Sequence, residues 1–327
     1  MKEKVLVTGA TGFTGSHLCE RLIELGYSVR ALARDTTGFV DLHRLGVEVV
    51  KGDLRDNGSL LKATKGIDVV YHIAALFRQD VPRHVMWDIN CQGTKNILDA
   101  SVKADVQRFI HCSTVGVHGD IKNPPANESA PFKPGDNYEG SKAAGEQIVM
   151  NYMQIGRLPI VVFRPGGIYG PRDLRFLKLF KAIKGRRFVM LGSGKVNYQM
   201  IYIDDLIDGA LLCGTKEQAV GNIYILTGEE TVTLNRLVET VAQVLGVRPP
   251  SLRFPVMPVY LAGFLCELIC KPLGINPPLY RRRVNFFRTT RIFDISKAKQ
   301  ELGFEAKTDL KKGTSLTADW YRGHNYL

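Results

Sequence analysis

The chain has 327 residues, enough for one large domain or two interwoven ones, and this length excludes a peptide hormone or a disulfide-stabilised miniprotein. Hydrophobic residues make up 45% of the chain and charged residues 23%, an ordinary balance for a folded protein that excludes disordered and fibrous classes. The formal net charge of +12 permits an anionic partner, but no nucleic-acid-binding motif accompanies the mostly scattered lysines and arginines, so we expect no nucleic-acid partner.

The N-terminus enters its first apolar run at Val5, immediately after Met-Lys-Glu-Lys. This leaves no room for the apolar stretch and cleavage site of a signal peptide, and we expect a cytoplasmic location. The six cysteines have no Cys-x-x-Cys spacing, so the sequence predicts neither a disulfide framework nor a metal site. They are typical of small buried apolar residues.

Short β-branched runs alternate with helical patterns through the first half of the chain. This alternation predicts an α/β fold with a doubly wound parallel sheet. Such strands are covered on both faces and read as nearly continuous apolar runs, as residues 69–73 and 160–163 do. The runs that we interpret as strands are residues 5–7, 28–33, 47–50, 69–73, 108–112 and 159–163.

After Pro171 the alternation loosens into a mixed region. We expect a helix at 176–184, a strand at 222–226 and a helix after Thr233. Residues 254–266 carry no charge, and Pro258 and Pro272 are suitable bounds for a helix there. Such a helix is too short for the ~20 residues that a membrane span needs. This mixed region is where we expect the substrate to bind.

A glycine-rich turn follows the first strand and opens a helix with leucines at helical spacing. Glycine permits a tight turn and lets a pyrophosphate approach the backbone amides at the helix N-terminus. An isolated glycine pattern also occurs at ordinary strand-to-helix turns, but its place behind the first strand of a βαβ unit indicates dinucleotide binding. The residues expected to cradle the cofactor are Gly9, Thr11, Gly12, Phe13, Thr14 and Gly15.

The end of the second strand indicates which dinucleotide binds. NAD-binding proteins usually place an acid there to accept the ribose hydroxyls. Here Ala33 stands where we expect the acid and Arg34 follows it, so a 2′-phosphate would be attracted and the sequence favours NADP. Asp35 keeps NAD open as the alternative. Arg30 has the same orientation as Arg34 on a strand and either adds to the positive field or is solvated.

A tyrosine and a lysine four residues apart are the candidate acid/base pair. Tyr138 and Lys142 stack on one face of a predicted helix, for which Asp136 or Asn137 suits the N-cap. A tyrosine phenol has a pKa near 10, so proton transfer near neutrality needs on the order of 4 kcal/mol of preferential stabilisation of its anion. An adjacent ammonium in a desolvated site supplies much of this, and an oxidised nicotinamide supplies more.

With the glycine turn and the strand that ends at Ser113 and Thr114, this pair resembles the motifs of the extended short-chain dehydrogenase/reductases, over nearly the whole chain. The chain is most similar to the branch of 3β-hydroxysteroid dehydrogenases and dihydroflavonol reductases. The resemblance implies that Tyr138 transfers the proton and that Lys142 adjusts the tyrosine and contacts the nicotinamide ribose. It also implies that Thr114 orients the substrate oxygen, with Ser113 as the alternative; a hydroxyl that merely ends the strand is the other interpretation.

Further segments imply additional cofactor contacts. Residues 53–54 resemble a pair that contacts adenine, 72–75 the turn that covers the cofactor, and 90–96 the helix that supports the site. Residues 164–171 and 202–205 resemble the two segments that join the cofactor and substrate regions; Asp204 and Asp205 suit a helix cap at least as well as catalysis. The residues that the resemblance adds to the cofactor site are Asp53, Leu54, Ala74, Ala75, Asn90, Ser113, Tyr138, Lys142, Pro165 and Ile168.

The resemblance also implies a division of the chain. Residues 1–172 with 200–228 would form a dinucleotide-binding Rossmann domain, and residues 173–199 with 229–327 a smaller C-terminal mixed α/β substrate-binding region. The helices expected at 86–104 and 138–152 often form a dimer interface in relatives, which implies a homodimer.

Two polar residues that are absent and one uncharged stretch indicate the class of substrate. Nucleotide-sugar epimerases and dehydratases commonly have an asparagine where this chain has Gly167, and an arginine where it reads residues 197–200 without one. The uncharged residues 254–266 resemble instead the apolar substrate region of relatives that act on hydroxysteroids, sterols or flavonoid-like ketones. The same stretch suits a core helix, a dimer interface, or a peripheral membrane contact through 254–275 with the arginines that follow. Those arginines also suit a substrate diphosphate.

We therefore expect an NADP(H)-dependent oxidoreductase that interconverts a secondary alcohol and a ketone on a fairly apolar small molecule. The alternative is a nucleotide-sugar epimerase or dehydratase that retains its NAD(P) cofactor. A non-catalytic redox sensor that binds NADP is a third hypothesis, against which the presence of both Tyr138 and Lys142 argues.

Overall fold

The computed structural model describes residues 3–34, 40–77, 81–270, 272, 273, 275 and 277–327. Its main sheet has seven parallel strands in the order β3-β2-β1-β4-β5-β6-β10. These strands are β1 Lys4–Thr8, β2 Ser28–Ala33, β3 Glu48–Lys51, β4 Val69–His72, β5 Arg108–Cys112, β6 Ile160–Pro165 and β10 Ile223–Leu226. The doubly wound parallel sheet expected from the sequence is confirmed, and the apolar runs mark its strands to within two residues.

Helices cover both faces of this sheet. On one face α3 packs on α5 and α5 on α6, while α1 packs on α8 on the other. Neighbouring residues of one strand, such as Val5 and Leu6, therefore belong to separate apolar clusters, because successive side chains point to opposite faces. The helices of this part are α1 Phe13–Glu24, α2 Val40–Arg44, α3 Asn57–Thr64, α4 Arg83–Trp87, α5 Gly93–Lys103, α6 Asn137–Ile155 and α8 Ile203–Thr215, and a π-helical turn, Asp88–Gln92, joins α4 to α5.

Smaller elements lie beyond the main sheet. A three-stranded sheet has the order β7-β9-β11, and β8 pairs with β12. The three-stranded sheet takes strands from both sides of the expected domain boundaries, and that division of the chain stays a prediction. The elements are β7 Gly167–Tyr169, β8 Met190–Leu191, β9 Asn197–Tyr202, β11 Thr231–Thr233, β12 Arg253–Phe254, α7 Leu177–Lys184, α9 Leu234–Leu245, α10 Val256–Cys270, α11 Arg281–Asn285 and α12 Leu310–Gly323.

Strand order reverses between β1 and β4, which are neighbours in the sheet. After β1 the chain continues to β2 on one side, and after β4 it continues to β5 on the other side. In open α/β sheets this point leaves a crevice at the carboxyl ends of the strands, where ligands bind. The glycine turn after β1 and residues 73–75 after β4 lie at this crevice. The fold thus brings together the first two cofactor motifs.

The helix expected in the uncharged residues 254–266 has different bounds in the structure, and it includes Glu267. It begins at Val256, two residues before Pro258, and runs to Cys270. Proline is tolerated there because the first N–H groups of a helix have no partner within it. Among the described residues, no helix combines the length and apolar character needed to cross a membrane.

Candidate active site

The glycine turn is closed by backbone packing. Gly9 has a φ of +74°, and its carbonyl oxygen accepts a hydrogen bond of 2.9 Å from the amide of Gly12. A Cβ at Gly9 would lie 2.7 Å from Cα of Ala74, and one at Gly15 would collide with the carbonyl oxygen of Gly9. These positions leave the N-terminus of α1 close to β4, with room for a pyrophosphate but not for side chains at the two glycines.

A cleft of about 320 Å³ extends from this turn across the carboxyl ends of β1, β2 and β4. The residues that the sequence suggested for the cofactor and that line this cleft are Gly9, Thr11, Gly12, Phe13, Thr14, Gly15, Arg34, Asp53, Leu54, Ala74, Ala75 and Ile168. The residues present therefore fit a dinucleotide: an amide-lined turn for the pyrophosphate, and Leu54, Asp53 and Arg34 towards the end of β2.

Asn90 lines neither this cleft nor the catalytic cavity described below. Its side chain accepts a 2.6 Å hydrogen bond from the amide of Leu76 and donates to the carbonyl of Leu76 and to Ser141 Oγ. Asn90 thus fixes the turn after β4 to α6. The expected contact of Asn90 with the cofactor stays a prediction.

The end of β2 carries the positive charge that the sequence suggested. Arg34 is exposed at the cleft, whereas the Asp53 carboxylate is bound by Arg55 at 2.8 and 3.0 Å. The hydrogen bond from Arg55 holds the pKa of Asp53 below its ordinary value. Arg30 is not part of the site, since it is buried and donates to the carbonyls of Ala63 and Lys65. Asp35 lies outside the described residues.

A larger cavity of about 620 Å³ adjoins the cleft and contains Tyr138, Lys142, Thr114, Ser113 and Pro165 in its walls. Asp136, one of the two residues expected to cap α6, is its N-cap: its side chain accepts a 2.9 Å hydrogen bond from the amide of Glu139. Tyr138 and Lys142 follow on adjacent turns of this helix. The sequence-suggested catalytic trio therefore shares one cavity.

Lys142 is fixed at the base of the cavity. It is almost fully buried, and its Nζ donates a 2.7 Å hydrogen bond to the carbonyl of Cys112 at the end of β5. Burial lowers its pKa, and the nearby Glu146 opposes this shift. Tyr138 is half-buried, and its ring lies edge-on to Phe77 at 4.7 Å between centroids. The lysine ammonium keeps two further protons with which it can bind other groups.

The two hydroxyls at the end of β5 have different surroundings. Thr114 is half-buried, and its Oγ1 accepts a 3.1 Å hydrogen bond from the amide of Gly116. Ser113 is buried and donates to Glu146. Thr114 also caps the short 3₁₀ helix Val115–His118. Because an accepting hydroxyl still has a proton to donate, Thr114 suits contact with a substrate oxygen, and Ser113 is engaged beneath it.

A buried ionic network that the sequence did not indicate lies next to the site. Glu146 Oε1 accepts from Arg164 Nε at 2.9 Å, and Arg164 Nη1 contacts His118 Nε2 at 3.0 Å and the carbonyl of Glu128 at 2.7 Å. Glu146 and Arg164 are almost completely inaccessible to solvent. Glu146 lies one further helical turn beyond Lys142, so the spacing of α6 was the signal that could have found it.

Asp204 and Asp205 lie in the first turn of α8, and neither was a helix cap or a catalytic-cavity residue. Asp205 is buried and accepts hydrogen bonds from the amides of Lys307 and Thr308 at 3.2 and 3.0 Å. It therefore anchors a distant loop. Asp204 is exposed.

The rest of the catalytic cavity is mostly apolar. Both arginines in its lining are ion-paired: Arg175 with Asp173 at 2.9 Å and Arg291 with Glu139 at 2.9 Å. This cavity is also lined by Gly167 and by Tyr198, Gln199 and Met200. These positions lack the asparagine and the arginine that sugar-nucleotide enzymes commonly have there. Its aliphatic and aromatic lining includes Ile73, Phe77, Val115, Ile168, Phe176, Leu179, Tyr198, Met200, Leu237, Phe286 and Phe293.

Residues 5–226 match the model of the NAD-dependent epimerase/dehydratase family. A 3β-hydroxysteroid dehydrogenase/decarboxylase (isoform 2) of Arabidopsis thaliana is 30% identical over 96% of this chain, which spans only 61% of that protein's length. An N-acetyl-α-D-glucosaminyl-diphospho-ditrans,octacis-undecaprenol 4-epimerase of Escherichia coli O157:H7 is 30% identical over 98% of this chain and 96% of its own.

A solved structure of UDP-glucuronic acid 4-epimerase from Bacillus cereus, in complex with NAD, is similar with a TM-score of 0.79. It is 25% identical, and the alignment covers 99% of this chain and 100% of the other. The family model matches more than half of the chain. This match and the relatives agree with a cofactor cleft at the crevice and with the adjoining cavity that contains Tyr138 and Lys142. The chain belongs to the NAD-dependent epimerase/dehydratase family of extended short-chain dehydrogenase/reductases, and it is an enzyme that works with a nicotinamide cofactor.

Proposed function

We propose that this enzyme interconverts a secondary alcohol and a ketone on a fairly apolar substrate, using NADP(H). The observation that carries the proposal is the catalytic cavity, in which Tyr138, Lys142 and Thr114 lie beside a mostly aliphatic and aromatic lining. A buried diphosphate would need cations to pair with it. Arg175 and Arg291 already have carboxylate partners, which favours an apolar molecule.

The proton chemistry follows from residues of the chain. In reduction, the Tyr138 hydroxyl donates its proton to the substrate oxygen, and the Thr114 hydroxyl donates a hydrogen bond to the same atom. The buried ammonium of Lys142 stabilises the tyrosine anion that remains, since opposite charges attract strongly where water is excluded. When bound, the nicotinamide supplies or accepts the hydride. In oxidation, each of these proton movements reverses.

The preference for NADP is part of the proposal, with NAD as the alternative. Arg34 is exposed at the adenosine end of the cleft, next to Ala33, which has no charge to repel a 2′-phosphate. The Asp53 carboxylate is already paired with Arg55. A guanidinium binds phosphate through two parallel hydrogen bonds, which supports NADP at this position.

Cofactor turnover tests the reaction class. A panel of apolar cyclic ketones of increasing size is incubated with enzyme and NADPH, and the alcohol is quantified alongside the loss of reduced-cofactor absorbance. We expect one alcohol to form for each NADPH consumed. If no ketone consumes NADPH while a sugar diphosphate is epimerised without net use of cofactor, the proposal is wrong.

The Escherichia coli relative favours a second candidate, the epimerisation of a sugar carried on a polyprenyl diphosphate. An apolar cavity would then hold part of the lipid. In this reaction the hydride returns to the same sugar, so the cofactor is neither consumed nor released. Conversion of such a substrate by enzyme with only a catalytic amount of oxidised cofactor would support this candidate over the first.

A further inference from the structure

The segment 252–275 presents an unusually apolar surface. Of its helix α10, only Gly263 and Glu267 are buried. The described chain has eighteen exposed large apolar side chains, and more than half of them fall in these twenty-four residues. They are Leu252, Phe254, Met257, Leu261, Phe264, Leu265, Leu268, Ile269, Leu273 and Ile275. A monomer rarely exposes so much contiguous apolar surface without a partner for it.

The same part of the sequence is strongly basic. Residues 251–291 contain seven basic residues and one acid, Glu267, a net charge of +6. One eighth of the chain therefore carries half of its net charge of +12. The seven basic residues are Arg253, Lys271, Arg281, Arg282, Arg283, Arg288 and Arg291.

Basic groups lie directly on the apolar helix. Arg281 forms an ion pair of 3.1 Å with Glu267 and lies 4.9 Å from the centre of the Phe264 ring. Arg288 lies 4.3 Å from the centre of the Tyr260 ring. These cations and the apolar side chains thus form one mixed surface, which we call the basic-apolar surface: the described residues of 252–288, which include α10 and α11.

We propose that the basic-apolar surface docks the enzyme on an anionic lipid bilayer. Apolar side chains of a helix lying in the membrane plane enter the acyl region, while arginines engage the anionic headgroups. The 15-residue α10 is too short to cross the bilayer, which needs ~20 residues. A second copy of the chain is a poorer occupant, because residues 252–288 carry a net charge of +5 and pairing two such surfaces would bring together ten net positive charges.

The docking surface is continuous with the catalytic cavity. Phe286, which ends α11, is partly exposed, lines the cavity, and stacks on Tyr198 with 5.0 Å between ring centroids. Arg291 and Phe293, a few residues later, also line the cavity. An apolar substrate dissolved in the bilayer would therefore meet the cavity wall at the membrane. This last step rests on the proposed function, whereas the docking itself does not.

Vesicle co-sedimentation tests the docking without substrate or cofactor. The full chain is mixed with phosphatidylcholine vesicles, either pure or with about a third phosphatidylglycerol. We expect binding to the anionic vesicles at least tenfold tighter than to the neutral ones, and weakened by added salt because the headgroup attraction is screened. Equal, negligible binding to both vesicles would overturn the proposal.

Two exposed leucines of α10 provide the variant. Leu261→Glu with Leu268→Glu should reduce binding to anionic vesicles at least tenfold, because each change places a carboxylate where an apolar group would insert. The matched control is Leu61→Glu with Leu316→Glu, two exposed leucines far from α10 in sequence, which should leave binding unchanged. If the α10 variant instead lowers the molecular mass in sedimentation equilibrium and leaves vesicle binding unaltered, the surface is a self-association interface and the proposal is wrong.

Activity separates the failure of docking from the failure of the proposed reaction. The α10 variant should reduce a water-soluble ketone at the wild-type rate but a vesicle-dissolved ketone at least tenfold more slowly. If wild type docks but reduces neither ketone, the proposed function fails and the docking stands. If the variant loses both activities equally while it remains folded by circular dichroism, the link between the membrane and the cavity is wrong.

Discussion

Tyr138 and Lys142 line the same cavity on adjacent turns of α6, where Lys142 is buried and donates a hydrogen bond to the Cys112 carbonyl and Tyr138 is half-buried. This division suits a lysine that sets the electrostatic environment and a tyrosine that meets the substrate. Removing the phenolic oxygen of Tyr138 tests this assignment of roles.

We expect Tyr138→Phe to lower kcat by ~10² to 10⁴ while cofactor affinity stays nearly unchanged, because only the transferable proton is removed. Steady-state kinetics and cofactor titration by fluorescence measure the two effects. Tyr152→Phe, on the same helix but outside the cavity, is the control and should keep wild-type kcat. Full activity in Tyr138→Phe would rule out the mechanism.

Arg34 is the residue on which cofactor choice rests. For Arg34→Ala we expect about a tenfold loss of NADP affinity with little change for NAD, since an exposed guanidinium-phosphate contact is worth about 1.4 kcal/mol. Titration with both cofactors gives the ratio. Arg44→Ala, on α2, is the control. An unchanged ratio in Arg34→Ala would contradict the NADP preference.

At the scale of elements, Glu146 and Arg164 join α6 to β6 beneath the catalytic cavity. Glu146→Gln would leave a buried guanidinium without a counter-charge, and breaking a buried pair in this way costs about 3 to 5 kcal/mol. Urea unfolding measures the loss. The matched control is Glu229→Gln, because Glu229 and its partner Lys299 form an ion pair that is exposed to solvent on both sides. We expect this change to lower the free energy of unfolding by less than ~1 kcal/mol. Similar small losses for both variants would show that the buried pair is not a structural link.

The elements themselves were largely predictable from sequence. The apolar runs predicted the first and last residues of β2 and β5 correctly. The spacing of Gly9, Gly12 and Gly15 indicated the turn between β1 and α1. Both signals are local in the sequence. The start of α10 differs from the expected bound at Pro258, since a proline in the first turn does not stop a helix.

The supporting contacts of the site were not predictable. Glu139 and Arg291 are 152 residues apart, and Asp205 holds amides about a hundred residues later, so no local pattern links them. Arg30 was expected to share the direction of Arg34, but it lies deeper in β2, where the carbonyls that end α3 are within reach. Such pairings depend on the folded arrangement of elements. The homodimer stays a prediction, which sedimentation equilibrium can test.

At the scale of the whole molecule, buried histidines make stability depend on pH. Burial, reinforced by Arg172, lowers the pKa of His17 from 6.5 to about 4, and burial lowers that of His72 to about 3. Arg172 can only donate, so His17 Nδ1, 2.6 Å away, must be unprotonated. Between pH 6.5 and 4 the unfolded chain binds protons that the native chain does not, and the free energy of unfolding therefore falls as the pH falls through this window.

His17→Asn should reduce this pH dependence, because asparagine offers an acceptor to Arg172 but does not titrate. We expect the loss of unfolding free energy between pH 6.5 and 4 to shrink by up to about 3 kcal/mol relative to wild type. Urea unfolding at a series of pH values measures it. His84→Asn, at an exposed position, should leave the slope unchanged. The same slope in all three proteins would contradict the assignment.

The cleft and the catalytic cavity share a wall formed by Thr14, Ile73, Ala75, Ile168 and Arg175. Arg175 lies over the rings of Phe13 and Phe77 at 5.7 and 5.6 Å, and so touches both compartments. A dinucleotide in the cleft would complete the floor on which the substrate rests. We therefore expect compulsory-order kinetics, in which the cofactor binds first and leaves last, and product inhibition by oxidised cofactor is competitive with the reduced form alone.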